Sequence, residues 1–423
     1  MARWSVVVVF ALLGATTQVL WVTYAPVTDA AATYYGASDS AIGWLANVFP
    51  LLYVLLAIPA GMVLDRWFRG GLALGAVLTA LGALLRLGGA SYGWALLGQL
   101  VVGVAQPLVL NAITGVASRY LPPRHRPTGI AIGSASTFAG LIVGFGLGAV
   151  FASPSGIRPL LEVQALLAVV VGVAVLVVLR RPATYGPAEV AVAVEVAEGD
   201  SASAAVADGR ARPAGAAIGG DGATPPADRG GAATTPSGFG ALRIALRDPG
   251  IRRLCALVFV PFGVFVALTT FLQPLLEPAG VAESTAGLLL VANVVAGVVG
   301  CAIVPVFASR RHAEVRVMAV ALAVTTLACV VLAVVPGVAV GFVAVVALGF
   351  ALLPALPIVL EMTERRAGAA EGTATGLIWL TGNLGGLVLA AVVGLLVDHP
   401  VPAFLLLAVL SVLTLPLLRG VRR

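Results

Sequence analysis

Lysine is absent from the 423 residues; all 25 cations are arginine, set against 19 acidic side chains. Charged residues make up only 10% of the chain, where a soluble domain carries about 25%. Such a chain cannot build an ordinary water-facing surface. Its apolar share of 60% and mean hydropathy of +1.05 make lipid the solvent. Only three cysteines occur, Cys255, Cys301 and Cys329, far apart and inside apolar runs, which excludes a disulfide framework or thiolate metal site. Of the three histidines, His125 and His312 lie in the connections between apolar runs and His399 at the connection that opens the last of them. No HExxH, CxxC, GxSxG, Walker A or dinucleotide fingerprint stands in a suitable context, so no enzyme, cofactor or metal is expected. The net charge of +6 does not form a nucleic-acid patch, because the arginines gather at the ends of apolar runs.

Long apolar runs are what the sequence does have. A membrane helix needs about 20 mostly apolar residues, and twelve such runs can be drawn: 4–27, 41–64, 70–90, 93–119, 127–151 and 158–179, then 251–274, 283–307, 315–335, 337–361, 372–396 and 399–418. The first is too long for a signal-peptide core and contains Trp21 and Tyr24, so it reads as a retained span. Between the sixth and seventh, residues 182–247 are mostly rich in Ala, Gly, Pro, Ser and Asp. Such a composition buries too little to offset its ordering entropy, which predicts a disordered linker between bundles at 1–181 and 248–423.

Arginine placement sets the orientation. Arg3, Arg66, Arg69, Arg119, Arg124, Arg126, Arg180, Arg252, Arg310, Arg365 and Arg419 fall on one side of this topology; Arg86 and Arg158 fall on the other. The positive-inside rule then puts both termini and the linker in the cytoplasm of an integral cell-membrane protein. The halves also echo each other. Pro107-Leu-Val-Leu-Asn111 in span four corresponds to Pro357-Ile-Val-Leu-Glu361 in span ten, and the openings of spans five and eleven share a Gly-x-Ala-x-Gly pattern at Gly129 and Gly372. Parallel repeats of this kind are a transporter plan.

After span two comes Gly61-Met-Val-Leu-Asp65-Arg66-Trp-Phe-Arg69. It resembles the major facilitator signature, with Phe68 in place of the second glycine, and implies an all-α major facilitator fold of twelve helices in two six-helix bundles. Asp65, Arg66, Arg69 and Glu361 are the gating candidates; the plain alternative for the signature is a charged helix end obeying the inside rule. A closer resemblance runs through Trp21-Val-Thr-Tyr24, Trp44-Leu-Ala-Asn-Val-Phe-Pro-Leu-Leu-Tyr53, Leu97-Gly98-Gln99, Leu356-Pro357 and Glu371-Gly-Thr-Ala-Thr-Gly-Leu377. This set is similar to the feline leukaemia virus subgroup C receptor-related family of major facilitator transporters, associated with choline and ethanolamine transport and less securely with haem export.

The resemblance implies that Trp21 contacts a substrate cation, as an aromatic face suits a quaternary ammonium that cannot donate hydrogen bonds. Gln18 shares its helical face, and Asn383 retains an amide where the family has glutamine. Two positions depart: Val266 replaces the family's tyrosine, and Phe138 replaces a glutamine while offering a second ring. Trp21 is equally placed for an interfacial belt. Gln18, Asn47, Gln106, Asn111, Asn293 and Asn383 are polar groups within spans that either line a cavity or bond across helices. Acids are scarce there: Glu162 and Glu361 lie toward opposite ends of their spans and none is central, so facilitated diffusion is expected rather than proton coupling. The expected protein is a monomeric secondary transporter in the lipid bilayer, moving a small organic cation by alternating access. The substrate-binding candidates are Trp21, Gln18, Asn47, Gln106, Asn111, Phe138 and Asn383. Efflux of amphipathic drugs, haem or other metabolites is the alternative; a non-transporting receptor or sensor is the alternative of another class.

Overall fold

A computed structural model describes residues 3–185, 238–281, 283–367 and 370–420, and every regular element among them is helical. Helices are forced on these runs because lipid offers backbone N–H and C=O groups no partner, leaving i to i−4 bonding to satisfy them. In the first half these are α1 (Trp4–Trp21), α2 (Thr28–Tyr35), α3 (Asp39–Leu85), α4 (Tyr92–Leu110), α5 (Ala112–Tyr120), α6 (Arg126–Val150) and α7 (Ile157–Leu179). The second half contains α8 (Gly238–Arg247), α9 (Pro249–Leu276), α10 (Glu283–Arg310), α11 (Glu314–Val334), α12 (Val338–Leu352), α13 (Ala355–Ala367), α14 (Glu371–Gly394) and α15 (Pro400–Thr414).

Eleven helical stretches among the described residues are long and apolar enough to cross a membrane. The expected count of twelve is recovered within α3. Its 47 residues would reach about 70 Å if straight, more than twice a hydrocarbon core of about 30 Å. Trp67, at φ −136° and ψ 59°, breaks the helical path immediately after Asp65-Arg66 and divides α3 into two crossings. Two other spans are jointed: α4 and α5 meet at Asn111, four residues after Pro107, and α12 and α13 meet beside Pro354. Proline removes a backbone donor and crowds the preceding turn, which puts the second joint where the ladder is already weakened; at the first, Pro107 lies one turn earlier and its carbonyl still accepts from the Asn111 amide at 3.1 Å.

Within the halves, α1 packs on α6, α3 on α4, α9 on α14 and α10 on α12; between them, α3 meets α14 and α6 meets α10. One buried cluster crosses the divide, joining Tyr53, Ile113 and Phe138 to Leu257, Leu356 and Trp379. Apolar side chains also face outward, among them Leu55 at 62% and Val343 at 69% exposure, which is the surface a bilayer covers. Polar side chains inside act as cross-helix braces: Asn293 Nδ2 donates to the Val345 carbonyl at 2.7 Å, fastening α10 to α12. Replacing Asn293 with leucine is expected to destabilise the protein by about 1 kcal/mol, in line with interhelical hydrogen bonds in lipid. A detergent-phase unfolding comparison checks this; unchanged stability would show the brace to be dispensable.

Of the expected linker, residues 186–237 lie outside the described residues. Its first residues lie against the first half, where the Pro182 carbonyl accepts from Arg3 and the Thr184 and Tyr185 amides donate to the Arg119 carbonyl. Its last ten residues form α8, which contacts α3, α9 and α14. Leu242 and Ala245 share a packing cluster with Ile58 of the first half and Ala374 and Leu377 of the second. Composition pointed to an unstructured segment through 247, but the apolar spacing of Leu242 and Ala245 gives α8 one face to bury.

Candidate functional site

The two halves are fastened at the end that carries Arg3, Asp65, Arg119, Arg126 and Arg365. The α14 helix begins there without a side-chain cap of its own, its N-cap position being Ala370. Asp65 of α3 supplies that cap from the other half. Its Oδ1 accepts from the Gly372 amide at 2.5 Å; Oδ2 accepts from the Thr373 amide at 3.0 Å and hydroxyl at 2.5 Å. The first N–H groups of a helix have no intrahelical acceptor and carry the positive end of its dipole, so a carboxylate is the matched partner. Glycine makes this approach possible: a Cβ on Gly61 would fall 2.5 Å from the Gly372 carbonyl oxygen.

Charged and hydroxyl contacts surround this cap. Arg119 of α5 pairs with Glu371 at 3.1 Å while stacking its guanidinium 4.2 Å from the Phe68 ring centre. Ser118 donates to the same carboxylate at 2.9 Å, Arg126 pairs with Glu364 at 2.8 Å, and the Thr114 and Thr375 hydroxyls lie 2.7 Å apart. The other gating candidates stay within their own halves. Arg66 lies over the Trp67 ring, Arg69 donates to the Leu179 carbonyl, and Glu361 pairs with Arg365, which also reaches Glu314 at 3.2 Å and Ser309 at 3.0 Å. Phe68, which departs from the signature glycine, is therefore the platform for Arg119. Reversing one charge, as Arg119→Glu, is expected to lower transport severely, and the double change with Glu371→Arg to restore part of it. A double-mutant cycle should give a coupling of about 1 kcal/mol for such neighbours; additive effects would deny the pair a role.

Deeper in, aromatic side chains from four helices of both halves form a continuous chain. Tyr53 of α3 lies 6.1 Å from Trp379 of α14, Trp379 6.2 Å from Phe262 of α9, Phe262 6.5 Å from Phe265, and Phe265 5.9 Å from Phe138 of α6. The Tyr53 hydroxyl donates to Asn111 Oδ1 at 2.6 Å, and Asn111 Nδ2 donates to the Ala57 carbonyl at 2.7 Å. That bond pins Tyr53 to the joint between α4 and α5. The Trp379 indole Nε1 is buried without a hydrogen-bond partner among the described residues. A cavity of about 10 Å³ opens between Phe138, Phe262, Phe265 and Leu353; it holds no more than one water-sized sphere. The aromatic centre is thus closed in this state. A cavity of about 570 Å³ lies instead near His312, Glu314, Arg316, Met362 and Arg365, away from these rings and beside the Glu361 ion-pair network.

The sequence-derived candidates divide accordingly. Phe138 and Asn111 belong to the aromatic centre. Trp21 is half-buried, stacks on Phe49 at 6.3 Å, and belongs with Leu20, Val102 and Ala165 to a packing group inside the first half. Gln18 and Gln106 are buried at 4% exposure each. The Asn383 side chain donates to the Trp379 carbonyl one turn back at 2.8 Å. The Asn47 side chain lies outside the described residues. Trp379, Phe262, Tyr53, Arg119, Glu364 and Glu371 were not among the sequence-derived site residues. One signal for the ion pairs was available: the loop joining spans four and five carries Arg124 and Arg126 and no acid, whereas the corresponding loop between spans ten and eleven adds Glu364 and Glu371 to its two arginines.

A twelve-crossing helical membrane protein whose halves meet at an aromatic centre and are joined at one end by ion pairs has the architecture of a secondary transporter. The chain belongs to the Major Facilitator Superfamily, whose family model matches residues 6–390. It is 26% identical over 396 residues to the zebrafish (Danio rerio) protein Solute carrier family 49 member A3, covering 90% of this chain and 76% of that relative. It is also 29% identical over 147 residues to the human choline/ethanolamine transporter FLVCR2, covering 34% of this chain and 28% of the relative. That second match spans little more than a quarter of the relative's length. In structure it is similar to the FucP transporter in its outward conformation, with a TM-score of 0.74 at 15% identity over 99% of this chain and 100% of that one. The human organic anion transporter MFSD10 gives a TM-score of 0.72 at 17% identity, over 98% and 99% of the two chains.

Proposed function

We propose that this transporter carries a small organic cation of the choline or ethanolamine type by facilitated diffusion, through a central site built on the aromatic chain. The arginine-rich end is the cytoplasmic one on the positive-inside rule, so the fastened state is closed to the cytoplasm. The observation that carries the reading is the continuity of Tyr53, Trp379, Phe262, Phe265 and Phe138 across both halves. Ring faces attract a quaternary ammonium without needing a hydrogen-bond donor from it. A site shared between halves also gives the substrate different contacts in each state, which alternating access requires. FLVCR2 and FLVCR1 are named choline/ethanolamine transporters, consistent with this class.

Opening the cytoplasmic end requires Asp65 to leave α14, Arg119 and Arg126 to leave their glutamates, and α8 to give up one of the halves it touches. Closing the other end around the cation is the compensating step. Glu361 is committed to Arg365 within the second half, which leaves the reading of proton-independent transport in place. The test is choline uptake into proteoliposomes with the pH gradient present or collapsed by an ionophore. Saturable uptake that is unchanged by the ionophore and competed by ethanolamine is expected. Strict dependence on the gradient would contradict facilitated diffusion, and competition by amphipathic drugs but not by amines would favour the efflux reading.

A further inference from the structure

Arg86, which terminates α3, is only 1% exposed and points into the first bundle rather than out of it. It lies about a membrane thickness from Asp65, 21 residues along the helical chain. Gly98 of α4 makes room for it: a Cβ there would sit 2.3 Å from Arg86 Cγ and 2.6 Å from the Gly82 carbonyl. Arg86 Nη1 donates to Thr23 Oγ1 at 3.0 Å and to Gln99 Oε1 at 3.4 Å, and Thr23 Oγ1 lies 2.8 Å from Gln164 Oε1. Three further N–H-bearing atoms in this group, Arg86 Nε and Nη2 and Gln164 Nε2, have no hydrogen-bond partner among the described residues.

A guanidinium removed from water is ordinarily matched by a carboxylate or phosphate. The ionisable groups that face Arg86 are instead Tyr24, whose hydroxyl is within hydrogen-bond reach of the guanidinium, and Tyr35; the two phenol oxygens lie 3.1 Å apart. The surroundings are otherwise apolar: Leu20, Phe49, Ala83, Val102 and Ala165. One full positive charge with no carboxylate facing it, unused N–H groups from two helices and the one hydroxyl proton that the Tyr24–Tyr35 bond leaves free form an enclosure whose acceptors are all neutral. We propose that this end of the first bundle binds one small monovalent inorganic anion, of the size and charge of chloride, between Arg86 and Gln164. A divalent anion would leave a net negative charge buried, and a larger organic acid would have to displace the apolar wall. The bound anion would tie α1, α3, α4 and α7 together and so stabilise the first bundle; this assignment does not depend on which substrate the carrier moves.

The test is a halide titration of the full-length protein in detergent, from gluconate to chloride at constant ionic strength, following the unfolding temperature. The expected result is a saturable rise, reproduced by bromide, with an anomalous bromide peak beside Arg86 in crystals. Arg86→Gln should abolish the halide response. Gln164→Leu, which keeps the guanidinium, should weaken apparent halide affinity several-fold and serves if the arginine variant does not fold. An unfolding temperature indifferent to halide, with no bromide at Arg86, would overturn the proposal. So would a halide response that both substitutions leave intact.

Discussion

Replacing Asp65 with alanine is expected to raise the opening of the arginine-rich end about ten- to a hundredfold and to slow transport by a similar factor. The carboxylate accepts two amides and a hydroxyl from the start of α14, a helix with no side-chain cap of its own. Hydrogen bonds to a charged group contribute about 1.5–3 kcal/mol. Water replaces part of that when the halves separate, so the net loss is taken as about that of one such bond. At 1.4 kcal/mol per tenfold, this gives the stated range. Asparagine keeps one acceptor but loses the charge and should fall between the two. A cysteine at Thr114, fully buried where α5 meets α14, reports the opening through its rate of maleimide labelling in a background lacking Cys255, Cys301 and Cys329. Equal labelling rates with and without Asp65 would remove the cross-half cap as a stabiliser of this state.

Trp379→Leu is expected to weaken choline binding about tenfold or more, and Trp379→Phe to weaken it less. The indole connects Tyr53 of the first half to Phe262 of the second, one of two places where the aromatic chain crosses between the halves, the other being Phe138–Phe265. A desolvated cation over a tryptophan face gains about 2 kcal/mol or more, and tryptophan is the best of the three rings. Leucine retains apolar volume but offers no quadrupole, and phenylalanine retains a smaller ring. Competition binding with tetramethylammonium and choline, alongside unfolding temperatures, separates loss of the cation site from loss of packing. An unchanged affinity in the leucine variant would place the cation elsewhere, with Trp21 and Phe49 the next aromatic pair to test.

The architecture was legible because lipid makes length and hydropathy decisive: twelve apolar runs, arginines at their ends and two matching halves fix a two-bundle carrier before any contact is known. Even the crossing hidden within α3 was marked by Asp65-Arg66. The site was much less legible. In a span that is apolar on every side, the period of the sequence does not say which face turns inward, so Trp379 read as one more apolar residue beside a recognised motif. Trp21 drew attention through resemblance, yet packs in a separate group within the first half. The gate was half visible: Asp65 stood out by its signature, whereas its acceptor role toward the Gly372 and Thr373 amides involves backbone groups that carry no sequence mark. α8 was hidden because a single short apolar face is diluted by the composition of the segment preceding it.

The most direct test of a cation carrier with an aromatic centre is labelled-choline counterflow in proteoliposomes, comparing wild type with Trp379→Leu and Trp21→Ala. Saturable counterflow in wild type, lost in Trp379→Leu while the variant remains folded, is the expected result; the size of the Trp21→Ala effect then shows whether the first half adds a second ring. Absence of counterflow from folded wild-type protein would contradict choline transport, and full counterflow in Trp379→Leu would contradict the aromatic centre as its site.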